Sequence, residues 1–274
     1  MNRDLRHVDY FLFTQHSLAT FDNCPLKFKK RYIENLKWDA LPDENIKKRI
    51  EMGNDFHLLA YRYFMGIEQG LDEAVQGYGD LERWLESLME HFPKKKGVVY
   101  LPEYKMRISQ GSLKLEANID LVSISEDSVE IWDWKTHSGT PDKKRSLKSQ
   151  KLADSLQTKV YMFVLKEQIK MITGRDTECE KIVMRYWQPD PPEVIAEVHY
   201  NSNKHEGYGS LLKNKINTIL EYDYSLFDKE LYSGHCKFCE FNWFCNNAGV
   251  DYSAIEENEG FIDELDWGSI EEKY

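Results

Sequence analysis

Apolar residues in the middle of the chain follow two different periods. Residues 116–122 and 129–136 are rich in β-branched and aromatic side chains and are separated by the turn-forming Glu126-Asp127-Ser128, which predicts two strands joined by a tight turn. A third strand is predicted over 98–108, preceded by a helix over about 80–91. Upstream, Ile46, Ile50, Phe56, Leu59, Ala60, Tyr63 and Phe64 recur with helical spacing and predict a long amphipathic helix over 44–67. Ser17 is the expected N-cap of an earlier helix that ends at Cys24-Pro25. Further on, the pattern predicts a helix over 153–172, strands over 181–187 and 194–200 split by Pro189-Asp190-Pro191-Pro192, and a helix over 204–222.

The strand period decides which side chains meet. Successive residues point to opposite faces, so Asp133 and Lys135 share one face and Trp134 takes the other. With Asp120 ending the neighbouring strand, two carboxylates lie together and can hold a hard divalent cation. Mg²⁺ or Mn²⁺ prefers such oxygen ligands. Lys135 then stands within reach of a phosphate or an attacking water. An isolated Asp-x-Lys also serves as a plain salt bridge, so the other motifs and their order carry the distinction. Gly53 and His57 lie four apart on the long helix, as do Gln157 and Tyr161 on the later one, and each pair therefore faces one way.

The five cysteines are Cys24, Cys179, Cys236, Cys239 and Cys245. An odd number argues against a disulfide framework, and the C-x₂-C-x₅-C run at 236–245 presents thiols at metal-ligand spacing. His235 would complete a Cys₃His zinc site, whereas Cys24 would complete an all-cysteine site that suits iron–sulfur as well as zinc. Cys179 sits in a polar stretch and is read as a bystander.

Charge changes the picture in one respect. The net charge is −11, but residues 256–274 hold eight acidic residues and one lysine, leaving 35 basic and 39 acidic residues elsewhere. An acidic tail over 251–274 following a single domain over 1–250 is the expected organisation. Basic runs at Lys27–Arg31, Lys47–Arg49, Lys94–Lys96 and Lys143–Arg145 suit phosphate contacts, the first interleaved with Phe28 and Tyr32. No apolar stretch has membrane-spanning length, and Met1–His7 is not followed by a signal-peptide apolar core, so an intracellular, cytoplasmic protein is expected (host cytoplasm if viral).

In order, Cys24, Gly53-x-x-x-His57, Glu103, Ile119-Asp120, Asp133-x-Lys135-Thr136, Gln157-x-x-x-Tyr161 and the Cys236/Cys239/Cys245 run resemble the PD-(D/E)XK nuclease superfamily. The likeness is to its RecB-like branch with an iron–sulfur cluster, which includes the RecB-like CRISPR-associated exonucleases, their viral relatives and the AddB nuclease domain. It spans about residues 17–247. The resemblance implies an α/β fold with a restriction-endonuclease-like core, a mixed central sheet flanked by helices, and an iron–sulfur region joining the N- and C-terminal parts. It implies that His57, Asp120, Asp133 and the Trp134 carbonyl bind Mg²⁺ or Mn²⁺, with Glu103 a weaker member. By the same resemblance Lys135 orients water and stabilises the transition state, Gln157 and Tyr161 position substrate, and Cys24, Cys236, Cys239 and Cys245 bind a structural [4Fe-4S] cluster in preference to zinc. The chain departs from the family at Glu116-Ala117-Asn118, where the family often has glycine. A DNA exonuclease acting on single strands or duplex ends is the leading expectation. The alternatives are a processing component of CRISPR adaptation with protein partners, a DNA-binding subunit with a vestigial site, and a tail that docks or inhibits.

Overall fold

The computed structural model describes residues 11–36, 44–67, 79–136, 149–193, 195–237 and 239–251. The basic run at 143–145 and the tail from 252 onward lie outside them. The helices are α1 (Gln15–Asn23), α2 (Pro25–Phe28), α3 (Glu44–Phe64), α4 (Gly79–His91), α5 (Ser149–Ala153), α6 (Leu156–Thr173), α7 (Ser202–Glu221), α8 (Ser233–Cys236) and α9 (Asn242–Asn246). The strands are β1 (Val99–Gln110), β2 (Leu113–Ile124), β3 (Val129–Trp134), β4 (Ile182–Trp187) and β5 (Ile195–His199). They form one sheet in the order β1-β2-β3-β4-β5. β2 and β3 pair antiparallel, β3 and β4 parallel, and β4 and β5 antiparallel, so the sheet is mixed and flanked by helices, consistent with a restriction-endonuclease-like core. Among the described residues no helix is long and apolar enough to cross a membrane.

Residues divide into two compact units, each assembled from non-contiguous stretches. The larger unit, 48–108 and 116–210, contains most of the sheet. Its core is strongly aromatic: Phe56, Tyr63 and Phe64 of α3 and Trp84 of α4 pack with Trp132 and Trp134 of β3 and Trp187 of β4. The Trp134 ring stacks on Phe64 and meets Trp187 edge to face, so β3 is buried on this side by large side chains. Strand alternation then sends Asp133, Lys135 and Tyr186 to the opposite face, where α6 lies: the Tyr186 hydroxyl is 2.6 Å from Thr158 Oγ1. A polar set can thus be buried beside an apolar core without interrupting it.

The smaller unit, 1–47, 109–115 and 211–274, gathers α1, α2, the end of α7 and the cysteine-bearing segment. Phe13, Phe21 and Phe28 are buried together, and Tyr222 meets Phe21 edge to face. Phe13 also forms a parallel bridge to Leu115.

Three local expectations are corrected. Ser17 is not the N-cap of α1: Thr14 is, accepting from the Ser17 amide at 3.1 Å while Ser17 Oγ accepts from the Thr14 amide at 2.9 Å, a reciprocal capping box. The helix expected over 153–172 begins at Leu156, because Ser155 takes an extended conformation and caps α6 through the Thr158 amide. Asp120 does not end its strand; β2 continues to Ile124, and Asp120 lies one residue before the first β2–β3 pair, Leu121 with Trp132.

Candidate active site and a cysteine pocket

Asp120 is held in place by the strand next to it. Its Oδ2 accepts the Trp134 amide at 2.7 Å, a charge-assisted contact that fixes the carboxylate beyond the end of the β2–β3 ladder. The other oxygen, Oδ1, is 3.6 Å from His57 Nδ1, and the same nitrogen is 3.3 Å from Glu103 Oε1. The donor atoms of His57, Glu103 and Asp120 all lie within 4.8 Å of one another, and among the described residues no other set of three or more His, Cys, Asp or Glu side chains does so. Glu103, the weakest of the sequence candidates, thus belongs to this group, with His57 Nδ1 facing both carboxylates. It occupies the left-handed region at φ 46° in the middle of β1, an unfavourable conformation for a residue with a side chain and one that clusters at functional sites.

His57 reaches this position because α3 lies close to the chain leaving β3. A Cβ on Gly53 would come within 2.9 Å of the Thr136 hydroxyl oxygen, and Thr136 is buried. Gly53→Ala therefore loses about 1–3 kcal/mol to overpacking, more than the roughly 1 kcal/mol that alanine adds to a helix. Thr136→Ala in the same protein recovers most of the loss. Denaturant unfolding of the single and double variants measures both, and additive effects would contradict the close approach.

Asp133 is buried on the α6 side and anchors a second group. Its Oδ2 accepts from Gln157 Nε2 at 2.6 Å, and its Oδ1 is paired with Lys135 Nζ at 2.8 Å. Lys135 in turn donates to Gln157 Oε1 at 3.0 Å, so Gln157 bridges the acid and the base. The Lys135 contact to Oδ1 is an ion pair without hydrogen-bond geometry, and that buried oxygen has no hydrogen-bond donor. A buried carboxylate oxygen in this state suits a cation. Tyr161 is buried beside Gln157, and burial together with the nearby Asp133 and Asp120 charges keeps its phenol protonated.

Electrostatics point the same way. Burial and the Asp133 and Glu103 charges outweigh the nearby His57 and push the Asp120 carboxyl up to about 8. Burial disfavours the His57 imidazolium, but Asp120, Glu103 and Asp133 overcome this and raise it to about 9. Both groups hold protons more tightly than in the unfolded chain, so the stability they add is lost as pH rises through about 8–9. A divalent cation must displace those protons and so binds more tightly as pH rises. Calorimetry with Mn²⁺ at pH 6.5 and 8.5 is expected to show tighter binding at the higher pH, with proton release. Equal affinity at both would contradict this reading. Oxygen-rich donors with one imidazole suit Mg²⁺ or Mn²⁺.

Comparison with known proteins adds a decisive match: the sequence profile of the PD-(D/E)XK nuclease superfamily aligns with residues 12–246. The chain belongs to the PD-(D/E)XK nuclease superfamily. No curated protein shows a significant sequence match. Among solved structures, the chain is similar to a candidate exonuclease from Eubacterium rectale, with 12% identity, TM-score 0.45, and 80% of this chain and 86% of that one covered. It is also similar to SSO0001, with 16% identity, TM-score 0.35, and 74% and 94% covered. PD-(D/E)XK nucleases use divalent metals, and the group of His57, Glu103 and Asp120 could hold one.

The other sequence candidates converge separately, in the smaller unit. Cys24, Cys236, Cys239 and Cys245 line one pocket together with His235. Three lysines, Lys27, Lys30 and Lys229, also line it, and among the described residues no carboxylate does. Cys24 caps the end of α1 and precedes Pro25 at the start of α2, whereas the turns at Cys236–Cys239 and Phe241–Cys245 are closed by backbone hydrogen bonds. Glu240 is clamped by Arg31 at 2.6 Å and Lys27 at 3.0 Å, which fixes the cysteine segment to the region around α2. Burial raises the Cys24 thiol and carries Cys239 up to about 12, so both are protonated without a metal.

Three contributors escaped sequence reasoning. Tyr186, opposite Asp133 in the parallel register, puts its ring 5.3 Å from Lys135 Nζ. Asn118 donates to Glu103 Oε2 at 3.2 Å from the position where the family often has glycine. Thr136 was read only as part of the Asp133 motif, although it faces Gly53. Only strand alternation signalled any of them, and it identified faces without partners.

Proposed function

We propose that this PD-(D/E)XK protein is a Mg²⁺- or Mn²⁺-dependent deoxyribonuclease of the RecB-like iron–sulfur branch, working as an exonuclease on single strands or duplex ends. The observation that carries the reading is the meeting of the His57, Glu103 and Asp120 donors beside the Asp133–Lys135–Gln157 network. His57, Glu103, Asp120 and Asp133 hold the cation, with the Trp134 carbonyl as a further ligand. When bound, it would supply Lewis-acid activation and offset the charge developing on the phosphoryl oxygens. Asp120 is kept oriented by the Trp134 amide. Lys135, steadied by Asp133 and Gln157, directs its ammonium at the attacking water and the phosphoryl oxygens. Gln157 and Tyr161 steady that ammonium from α6 and contact the substrate strand.

The cysteine pocket takes a [4Fe-4S] cluster with a structural role. Four thiols converge on it, and the three lysines that line it suit an anionic thiolate cluster. The resemblance of the motif order to the iron–sulfur branch of the superfamily is what favours the cluster over zinc.

Linear and circular single-stranded DNA of the same sequence separate the modes of action. An exonuclease degrades the linear form with Mn²⁺ and leaves the circle intact, whereas cutting of the circle at a comparable rate would overturn the exonuclease assignment. Processing within a recombination or CRISPR adaptation complex would supply protein partners as well as DNA ends.

A further inference from the structure

The metal site lies at one end of a polar row shared by β1 and β2. Glu103 meets Asn118 at that end, and farther along Lys105 and Arg107 converge on Glu116, at 3.9 and 2.6 Å. The opposite face of these strands is core: Met106, Ile108, Ala117 and Ile119 are buried. The row is open instead, with the Lys105 and Arg107 side chains 53% and 62% exposed and Asn118 exposed too. Exposed pairs of this kind contribute little to stability and exchange readily for another anion. Two cations also share one carboxylate, which leaves a surplus positive charge beside a site rich in carboxyl groups.

Those carboxylates pose a physical problem for the proposed reaction. Once a cation has displaced the protons held by His57 and Asp120, the ionised Glu103, Asp120 and Asp133 repel the phosphodiester backbone, and the cation offsets this at the scissile phosphate alone. Flanking phosphates need fixed positive charge nearby. We propose that Lys105 and Arg107 form a phosphate track that leads the substrate strand to the metal site, with Glu116 as the internal anion the strand displaces. The inference rests on the nuclease reading above and assigns the approach of the strand to that site. Alternate residues on a strand are spaced about 7 Å apart. Lys105 and Arg107 therefore stand about 7 and 14 Å along β1 from Glu103, a span of a few nucleotides at about 3.4 Å per stacked base. Arginine adds a planar fork that grips a phosphate at two oxygens.

Removing the cations and removing their competitor have opposite consequences. In a Lys135→Ala background, which prevents hydrolysis, Lys105→Ala/Arg107→Ala is expected to bind a fluorescent single-stranded oligonucleotide about tenfold more weakly. Its salt dependence should flatten by about 1.4 in log–log slope, for two lost phosphate contacts on a single strand. Glu116→Gln is expected to bind severalfold more tightly, which a damaged fold would not produce. With Lys135 intact, the double variant should raise KM about tenfold and leave kcat unchanged. Unchanged affinity, salt slope and KM in a protein whose wild type cleaves DNA would overturn the track. A wild type that neither binds nor cleaves DNA would overturn the nuclease reading, and the track would fall with it.

Discussion

Alanine at Asp120, Asp133 or Lys135 is expected to lower DNA cleavage by about a thousandfold or more, the scale seen when a single preorganised transition-state contact is removed. The three losses have different physical origins. Asp120→Ala removes a donor atom from the set within 4.8 Å and strands the Trp134 amide. Asp133→Ala removes the negative charge that holds the Lys135 ammonium and frees Gln157 from its 2.6 Å contact. Lys135→Ala leaves the buried Asp133 carboxylate with Gln157 as its remaining close partner from this network. Each change also has a folding cost, because a buried charge without its partner is destabilising. Circular dichroism and thermal melting should therefore accompany the rates, and Asp120→Asn, which keeps the shape, separates lost chemistry from lost structure. Full activity in all three alanine variants would sink the assignment of the site.

Cys236→Ala is expected to have the second largest effect, on folding more than on chemistry. Structural metal centres contribute folding free energy directly, about 10 kcal/mol or more in small zinc peptides. Even a third of that would lower the melting temperature by about 10 °C in a chain of this size. The four thiols are partly buried, and the segment that carries three of them is held by the Glu240 clamp with Arg31 and Lys27, the buried Phe241 and local hydrogen bonds, to which a metal centre adds four covalent ties. Anaerobically purified wild type should carry iron, sulfide and brown visible absorbance. The variant should lose all three together with stability. A colourless variant with wild-type melting and activity would contradict a structural cluster, and a stoichiometric zinc ion in the wild type would replace it with the other metal.

Much of the site's layout was legible because strand alternation is a strict rule. The opposite orientations of Asp133 and Trp134 follow from it, and the aromatic core around Trp134 shows the consequence. Helical spacing likewise put Gly53 and His57 on one side of α3. Partners were not legible, because periodicity assigns a face and leaves open which elements meet across it. The Gln157 bridge between Asp133 and Lys135 depends on α6 crossing this particular strand end. The ring of Tyr186 beneath Lys135 depends on parallel β3–β4 pairing across a long connection. Glu103 was hardest to weigh, since nothing in Leu101-Pro102-Glu103-Tyr104 announces a left-handed backbone inside a strand. The start of α6 had a visible signal in Ser155, a residue type suited to capping.

Metal-dependent cleavage of DNA is the property that defines the proposed enzyme. End-labelled single-stranded and duplex DNA, incubated anaerobically with Mn²⁺ or Mg²⁺, should yield products with the wild type, none with Lys135→Ala, and none when the metal is chelated. The label that disappears first gives the end attacked. No cleavage by the wild type, with its iron–sulfur cluster intact and its divalent cation supplied, would contradict the nuclease and leave a DNA-binding subunit or a missing partner.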